Sequence, residues 1–359
     1  MYVPSPIEVV TGQSGINGEA AVHAVRVSDP TRLDLSQLKA FLVDEYDLTI
    51  QFSIGNDGVA QAATPALLQQ LEAFCQAVGP RVTVRFYGGH GAAFACDLLA
   101  QLPSVAALRI ETNTTSNLEA VATLTALQRL SIKIADTVPR DLLHAPNLQK
   151  LTSLELGKAQ RGRFDLTALA AMPHLTELLI TDHANELSHV AHVPTLTKLT
   201  LWSPRGAPSL AFVRQLPALR ELALHWGSYA ELDELDAPQL QRLRLQCIRG
   251  LTKFDARRLS NVQQLSLDRF AQLTRVRVNQ LQQLQRLRIT DATKCSVLDG
   301  ISELPSLATL RLYRTATDLD ALLQAGLPTA LREFAYLTGR TKADNAIAAR
   351  LQALGYDAR

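Results

Sequence analysis

The residues of this chain that could carry chemistry are a glycine-rich segment, a set of histidines, four cysteines and a recurrent arginine pattern. Tyr87-Gly88-Gly89-His90-Gly91 lies between a strand-like and a helix-like run, where backbone amides could meet a phosphate at a helix start. The spacing is not G-x-G-x-x-G, because Phe94 holds the last place, and no Lys-Ser/Thr pair follows as in a phosphate-binding loop. The segment therefore reads as a tight turn. His189 and His192 are three apart but straddle the apolar Val190, and no acidic residue joins them in a zinc-protease spacing. Cys75, Cys96, Cys247 and Cys295 fit neither a disulfide framework nor a zinc-ligand pattern, and read as reduced thiols. No nucleophile elbow is present. These residues argue against an enzyme and imply no cofactor and no metal.

The arginines say more. Arg242 and Arg244, Arg286 and Arg288, and Arg311 recur at matching places in three of the later segments, with Trp202, His225 and Tyr313 nearby in the same pattern. Residues 240–312 hold 13 Lys and Arg against 5 Asp and Glu, a local charge of +8 in a chain whose net charge is +2, so the remainder carries −6. Guanidinium groups bind carboxylates and phosphates in bidentate fashion and stack on aromatic rings, which favours them at interfaces. The expectation is a binding surface of Trp202, His225, Arg242, Arg244, Arg286, Arg288, Arg311 and Tyr313, with an acidic or mixed-charge protein as partner. The alternative is a nucleic acid held by the basic patch 240–312. Near-neutral net charge, few aromatics in the patch and the interspersed Glu221 and Asp268 argue against it.

The elements that position these residues follow from a phrase, P-x-L-x-x-L-x-L, that returns about every 22 residues. It reads VPTLTKLTL at 193–201, LPALRELAL at 216–224, APQLQRLRL at 237–245 and LPSLATLRL at 304–312. Its middle leucines are Leu108, Leu130, Leu154, Leu178, Leu199, Leu222, Leu243, Leu265, Leu287 and Leu310, and Phe334 continues the series. In NLQKLTSLEL, only a start at Leu151 puts Leu156 at the last apolar position. The alternating x-L-x-L-x predicts a short strand with leucines inward and their neighbours outward, paired in parallel with the same strand of the next unit. Proline just before the phrase cannot donate a ladder bond and forces an extended entry.

The outward positions run Glu177 and Leu179; Lys198, Thr200 and Trp202; Glu221, Ala223 and His225; Arg242, Arg244 and Gln246. They continue as Gln264, Ser266 and Asp268; Arg286, Arg288 and Thr290; Thr309, Arg311 and Tyr313. Trp226 falls in a loop. Between strands, triplets such as Leu118, Val121, Leu124 and Leu210, Val213, Leu216 predict single helical or 3₁₀ turns. LTKFDARRL (251–259) and LTRVRVNQL (273–281) predict extended connectors instead.

These phrases resemble the leucine-rich repeat family, in its ribonuclease-inhibitor-like, stand-alone bacterial type. The resemblance covers about residues 100–337 and implies an α/β solenoid. That is a horseshoe with a parallel β-sheet on the concave face, short helical, 3₁₀ or extended convex segments, and caps at both ends. It implies a non-enzymatic scaffold that binds a protein on the concave face; its bacterial members include toxin-neutralising immunity proteins and injected effectors. One departure stands out. Where family members often place Asn, this chain has Asn113 once, then Ala135, His183, Pro204, Gly227, Ile248 and Phe270.

Three regions are expected: residues 1–100 as an amino-terminal α/β cap or degenerate repeats, 101–337 as the array of ten or eleven units, and 338–359 as a closing helical cap. LTIQFSI (48–54) and RVTVRFY (81–87) predict strands; TPALLQQLEAFCQAV (64–78) predicts a helix capped by Thr64, and 91–102 a second helix. In the last helix Ile347, Leu351 and Leu354 share a face. No run approaches a membrane span and the amino terminus lacks a secretory pattern, so the expected compartment is the cytoplasm, with no membrane partner. Strand edges at the ends of the array leave room for self-association.

Overall fold

The computed structural model describes residues 7–12, 22–27, 31, 35–42, 47–61, 63–88, 92–157, 159, 161–202 and 206–358. Gly89, His90 and Gly91 of the glycine-rich segment lie outside the described residues, as does Pro204. The chain divides into two compact units, Met1–Thr176 and Glu177–Arg359.

In the second unit every leucine phrase folds as expected. Eight parallel strands follow in chain order: Glu177–Thr181, Lys198–Trp202, Glu221–His225, Arg242–Gln246, Gln264–Asp268, Arg286–Thr290, Thr309–Tyr313 and Glu333–Leu337. Their middle residues pair across strands without a slip, from Leu178 against Leu199 to Leu310 against Phe334. All eight are 2 % exposed or less. Register holds because a one-residue slip would turn both leucines of a strand outward. Each buried leucine contributes roughly 1.5–3 kcal/mol of apolar burial, so the phrase supplies both the register and the core.

The connectors also divide as the sequence predicts. Ala184–His192 and Ala211–Gln215 are 3₁₀ turns with Leu187, Val190, Leu210 and Val213 buried. Lys253–Asp255, Arg275–Arg277 and Val297–Asp299 are extended and form a separate three-stranded parallel sheet. Phe254 and Val276 point from it into the core.

The missing asparagines have a backbone substitute. Asp182, Trp226, Cys247, Arg269, Asp291 and Arg314, each directly after a strand, are left-handed with φ between 51° and 63°. That turn aims each N–H at the last carbonyl of the next strand: Trp226 to Gln246 at 2.9 Å, Cys247 to Asp268 at 2.9 Å, Asp291 to Tyr313 at 2.8 Å. A non-glycine residue in this region costs about 1–2 kcal/mol, and the added ladder bond offsets it. Elsewhere, amides bond carbonyls of the preceding unit. Gln239 donates to Val213 and Leu216 at 3.1 and 2.9 Å, and Asn147 donates to Val121 and Leu124 at 3.1 and 3.0 Å.

The first unit builds the same parallel ladder from Asp47–Ser53, Val82–Gly88, Ala107–Thr112, Arg129–Ile134 and Ser153–Leu156. Val22–Val27 joins Asp47–Ser53 in parallel and pairs Ile7–Gly12 antiparallel. Leu130 sits opposite Leu154, which fixes the Leu151 frame; Leu148 belongs to the 3₁₀ turn Pro146–Lys150. Helix Pro65–Val78 is capped as expected, the Leu67 N–H donating to Thr64 Oγ1 at 3.3 Å. The second expected helix is instead a short strand, Phe94–Ala95, followed by a 3₁₀ turn, Cys96–Gln101. Phe94 stacks on Phe86 with ring centroids 4.9 Å apart and its N–H donates to Thr114 at 3.0 Å, which holds it extended.

At the carboxyl end, helix Thr341–Ala353 buries Leu351, but Leu354, expected on the same face, is 55 % exposed. Leu354 ends the helix, and the chain turns back at Gly355, φ 92°. Asp357 then bonds both sides of Phe334: the Phe334 N–H donates to its carbonyl at 2.8 Å and its own N–H donates to Arg332 at 2.9 Å. The returning backbone covers part of the edge of strand Glu333–Leu337.

Candidate functional site

In the second unit the outward positions form three rows across the strands, fixed by register. All eight residues singled out in the sequence stand on this one sheet face. Row one runs Glu177, Lys198, Glu221, Arg242, Gln264, Arg286, Thr309, Glu333; row two runs Leu179, Thr200, Ala223, Arg244, Ser266, Arg288, Arg311, Ala335. Row three is Thr181, Trp202, His225, Gln246, Asp268, Thr290, Tyr313, Leu337.

Row three is a connected chain. Trp202, 42 % exposed, lies over His225 with ring centroids 4.7 Å apart and planes 28° apart. His225 Nδ1 is 2.7 Å from Gln246 Oε1, and Gln246 Nε2 donates to Asp268 Oδ2 at 2.7 Å. Thr290 Oγ1 donates to the other Asp268 oxygen. Direction follows from the carboxylate, which only accepts: it takes the Gln246 amide protons, so Gln246 turns its oxygen to His225 and Nδ1 carries the proton. Burial pushes the imidazole below its ordinary range, the Gln246 bond and Asp268 pull it up, and Arg244 pushes it down; the net shift is downward. His225 is thus a neutral, covered support for Trp202. The sequence placed it among the binding residues beside Trp202; it is 6 % exposed.

The arginines differ in what they touch. Arg242 is ion-paired with Glu221, and Arg311 lies 3.5 Å from Glu333. Arg286 is exposed. Arg244 and Arg288 are half-buried on either side of Ser266 in row two. Tyr313 is half-buried, with the Arg314 guanidinium 6.0 Å from its ring centre. Trp226, left to a loop by the sequence, is 42 % exposed at the left-handed position directly after His225. Both tryptophans of the chain therefore stand partly open at the same end of neighbouring strands. The signal was available: a large aromatic directly after a strand ends on the strand's rim.

The basic segment does not form one surface. Arg257, Arg275 and Arg277 belong to the second sheet or its exit, where Asp233, Asp299 and Asp255 lie 2.7, 3.3 and 3.3 Å from them. The arginines of these pairs are exposed and the pairs worth little in stability, yet they cancel charge on that side.

The first unit carries an ion cluster that the sequence did not reveal, since one of its arginines, Arg85, lies outside the repeat phrase. Arg85 donates to Gln51 at 2.8 Å and to Glu111 at 2.8 Å; Arg109 reaches Glu111 at 2.6 Å. Lys133 bridges Glu111 and Glu155 at 3.5 and 2.8 Å. Burial pushes the Glu111 carboxyl up, but Arg109 and Arg85 outweigh it and hold it at about 2. Arg85, Glu111 and Lys133 line an open cavity of about 420 Å³ with Tyr87 and Gly88. Its charges are already paired with one another, so it reads as a structural cluster.

Burial raises the thiols of Cys75 and Cys96 to about 12 and Cys295 to about 11, which leaves them unreactive as nucleophiles. Among the described residues, no three His, Cys, Asp or Glu side chains are grouped to hold a metal ion. No helix among them is long and apolar enough to cross a membrane.

No protein-family model and no curated protein matches the sequence. Solved structures do. An internalin from Listeria monocytogenes is 18 % identical over 71 % of this chain and 73 % of its own, with a TM-score of 0.52. A leucine-rich repeat protein of Leptospira interrogans is 14 % identical over 81 % of this chain and 96 % of its own, at a TM-score of 0.36. The leucine-rich repeat ectodomain of the Arabidopsis receptor kinase HAESA, solved with a peptide hormone ligand, is 14 % identical over 75 % and 46 %, at 0.39. The recurrent phrase, the in-register parallel stack it builds and the likeness to the internalin together show that the chain has the leucine-rich repeat fold.

Proposed function

We propose that this chain binds a protein partner on the outward face of the second unit's parallel sheet, and that the partner is acidic or of mixed charge. The observation that carries the reading is Trp202: a large apolar ring, 42 % exposed, held in place from beneath by the His225–Gln246–Asp268–Thr290 chain. Interfaces concentrate their energy in aromatic and arginine side chains that are ordered before binding, because little entropy is then lost. Trp226 adds a second ring at the same rim, and Arg244, Arg286, Arg288 and Arg311 supply charge complementary to carboxylates.

A nucleic acid fits less well. Arg257, Arg275 and Arg277 face acidic partners on the second sheet, so the 13 basic residues do not line one groove, and the bases would have only isolated rings to stack on.

Affinity capture tests the proposal, using the wild-type chain against an Arg244→Glu/Arg288→Glu variant of equal melting temperature. The expected outcome is a protein retained by the first and lost by the second. Equal retention by both would place binding off this face.

A further inference from the structure

We propose that Arg244, Ser266 and Arg288 form a carboxylate-binding site on this sheet face, one that takes an Asp or Glu side chain of the protein partner. The inference rests on the reading of the face as a protein-binding surface and supplies the chemistry of one contact.

Register places the three side by side: Arg244 opposite Ser266, and Ser266 opposite Arg288. Neighbouring strands lie about 4.8 Å apart, so the two arginines flank the serine at a spacing their side chains can close over. Ser266 points away from the core, yet it is only 5 % exposed, as cover by these neighbours would make it. Among the described residues its hydroxyl has no hydrogen-bond partner, and neither has the buried Nη2 of Arg244. Two buried, unpaired donors on adjacent strands are unusual, because an unmade bond of this kind is costly. A single carboxylate, which only accepts, satisfies both: one oxygen for the Ser266 O–H and one for the Arg244 Nη2–H.

The charge around the serine favours an anion. Arg288 is pushed below its ordinary range first by burial, then by Arg311 and Arg244, with Asp268 opposing. Glu333, 3.5 Å from Arg311, offsets that arginine, and Asp268 is shared with Arg269 at 3.9 Å, so positive charge stays in surplus beside Ser266. A carboxylate offsets that surplus and the repulsion between the arginines. The serine matters for size: at the equivalent place in the preceding strands stand Leu179, Thr200 and Ala223, none of which combines a small side chain with flanking arginines.

The test uses the full chain and a fluorescein-labelled peptide of six glutamates as probe, read by fluorescence anisotropy at fixed ionic strength. Expected results are at least a tenfold loss of affinity for Arg244→Gln and for Arg288→Gln, and a three- to tenfold loss for Ser266→Ala. Arg275→Gln, on the second sheet, should bind like wild type. Ser266→Ala removes an unpaired hydroxyl, so its melting temperature should not fall; loss of binding without loss of stability separates recognition from folding. Wild-type affinity in Ser266→Ala, or equal weakening by Arg275→Gln, overturns the site. Inorganic phosphate displacing the peptide more strongly than acetate would assign the site to phosphate and overturn the carboxylate. If peptide binding follows the expected pattern while no protein is captured by this face, the broader reading fails and the site stands; the converse removes the site alone.

Discussion

Trp202 rests on His225, ring over ring at 4.7 Å, and His225 in turn is held at 2.7 Å by Gln246. An exposed tryptophan is thereby fixed by a buried polar chain that ends on a carboxylate, Asp268. The account of this protein as a binding scaffold depends on that rigidity.

The first consequence concerns pH. His225 is neutral in the folded chain because burial lowers its pKa below the 6.5 of the unfolded chain. Between these two values the unfolded chain binds more protons, so stability rises with pH there. The His225 contribution is complete above about 6.5 and is lost as pH falls through the folded value. Urea unfolding at pH 7.5 and 5.5 should show this loss, and His225→Gln should show less of it. An equal pH dependence in the variant would contradict the neutral assignment.

Asp268 is the anchor of the chain. It accepts from Gln246 and Thr290 at 7 % exposure, so Asp268→Ala leaves two donors unpaired. The expected cost is about 2–4 kcal/mol in urea unfolding, against about 1 kcal/mol for Thr290→Val. Similar small losses for both would mean that the hydrogen-bonded chain does little.

Glu111 in the first unit titrates in a separate window. Its folded pKa of about 2 lies below the ordinary 4.5, so its stabilisation is present above 4.5 and is lost as pH falls toward 2. The shift corresponds to roughly 3 kcal/mol at most. Glu111→Gln should flatten the acid limb of the stability curve below pH 4.5 and leave the His225 contribution unchanged.

The repeat phrase made the strands, their register and the connectors legible, because leucines at period two admit only one inward face. The 3₁₀ turn at Ala211–Gln215 and the extended Lys253–Asp255 were both readable, from triplet spacing in one and a β-favouring Phe254 in the other. What was not legible depends on neighbours far apart in sequence. His225 is covered by a residue 23 positions earlier, and Ser266 by arginines 22 positions away on each side. Outward positions look alike in sequence; which becomes buried is decided by the side chains beside it. The helix expected over 91–102 failed for the same reason, since Phe94 is claimed by the aromatic stack of Phe86 and Phe52.

The left-handed residues offer a test of the turn that replaces the asparagine ladder. Cys247, φ 54°, has a side chain that costs energy there, and a β-branched one costs more. Cys247→Val should lower stability by about 1–2 kcal/mol relative to Cys247→Gly. Cys247 is also the one cysteine of four that is not buried, so although burial raises its thiol too, one thiol per chain should react ahead of the others, and none in Cys247→Ser. More than one early-reacting thiol would mean that the stack opens.

The most direct measurement is site-specific photo-cross-linking. A benzoyl-phenylalanine at Thr200, beside Trp202 on the outward face, is compared with one at Lys253 on the second sheet. The expected result is a cross-linked protein from position 200, absent from position 253 and abolished by Arg244→Glu/Arg288→Glu. A cross-link from position 253 alone, or one at 200 that survives the double substitution, would contradict the account.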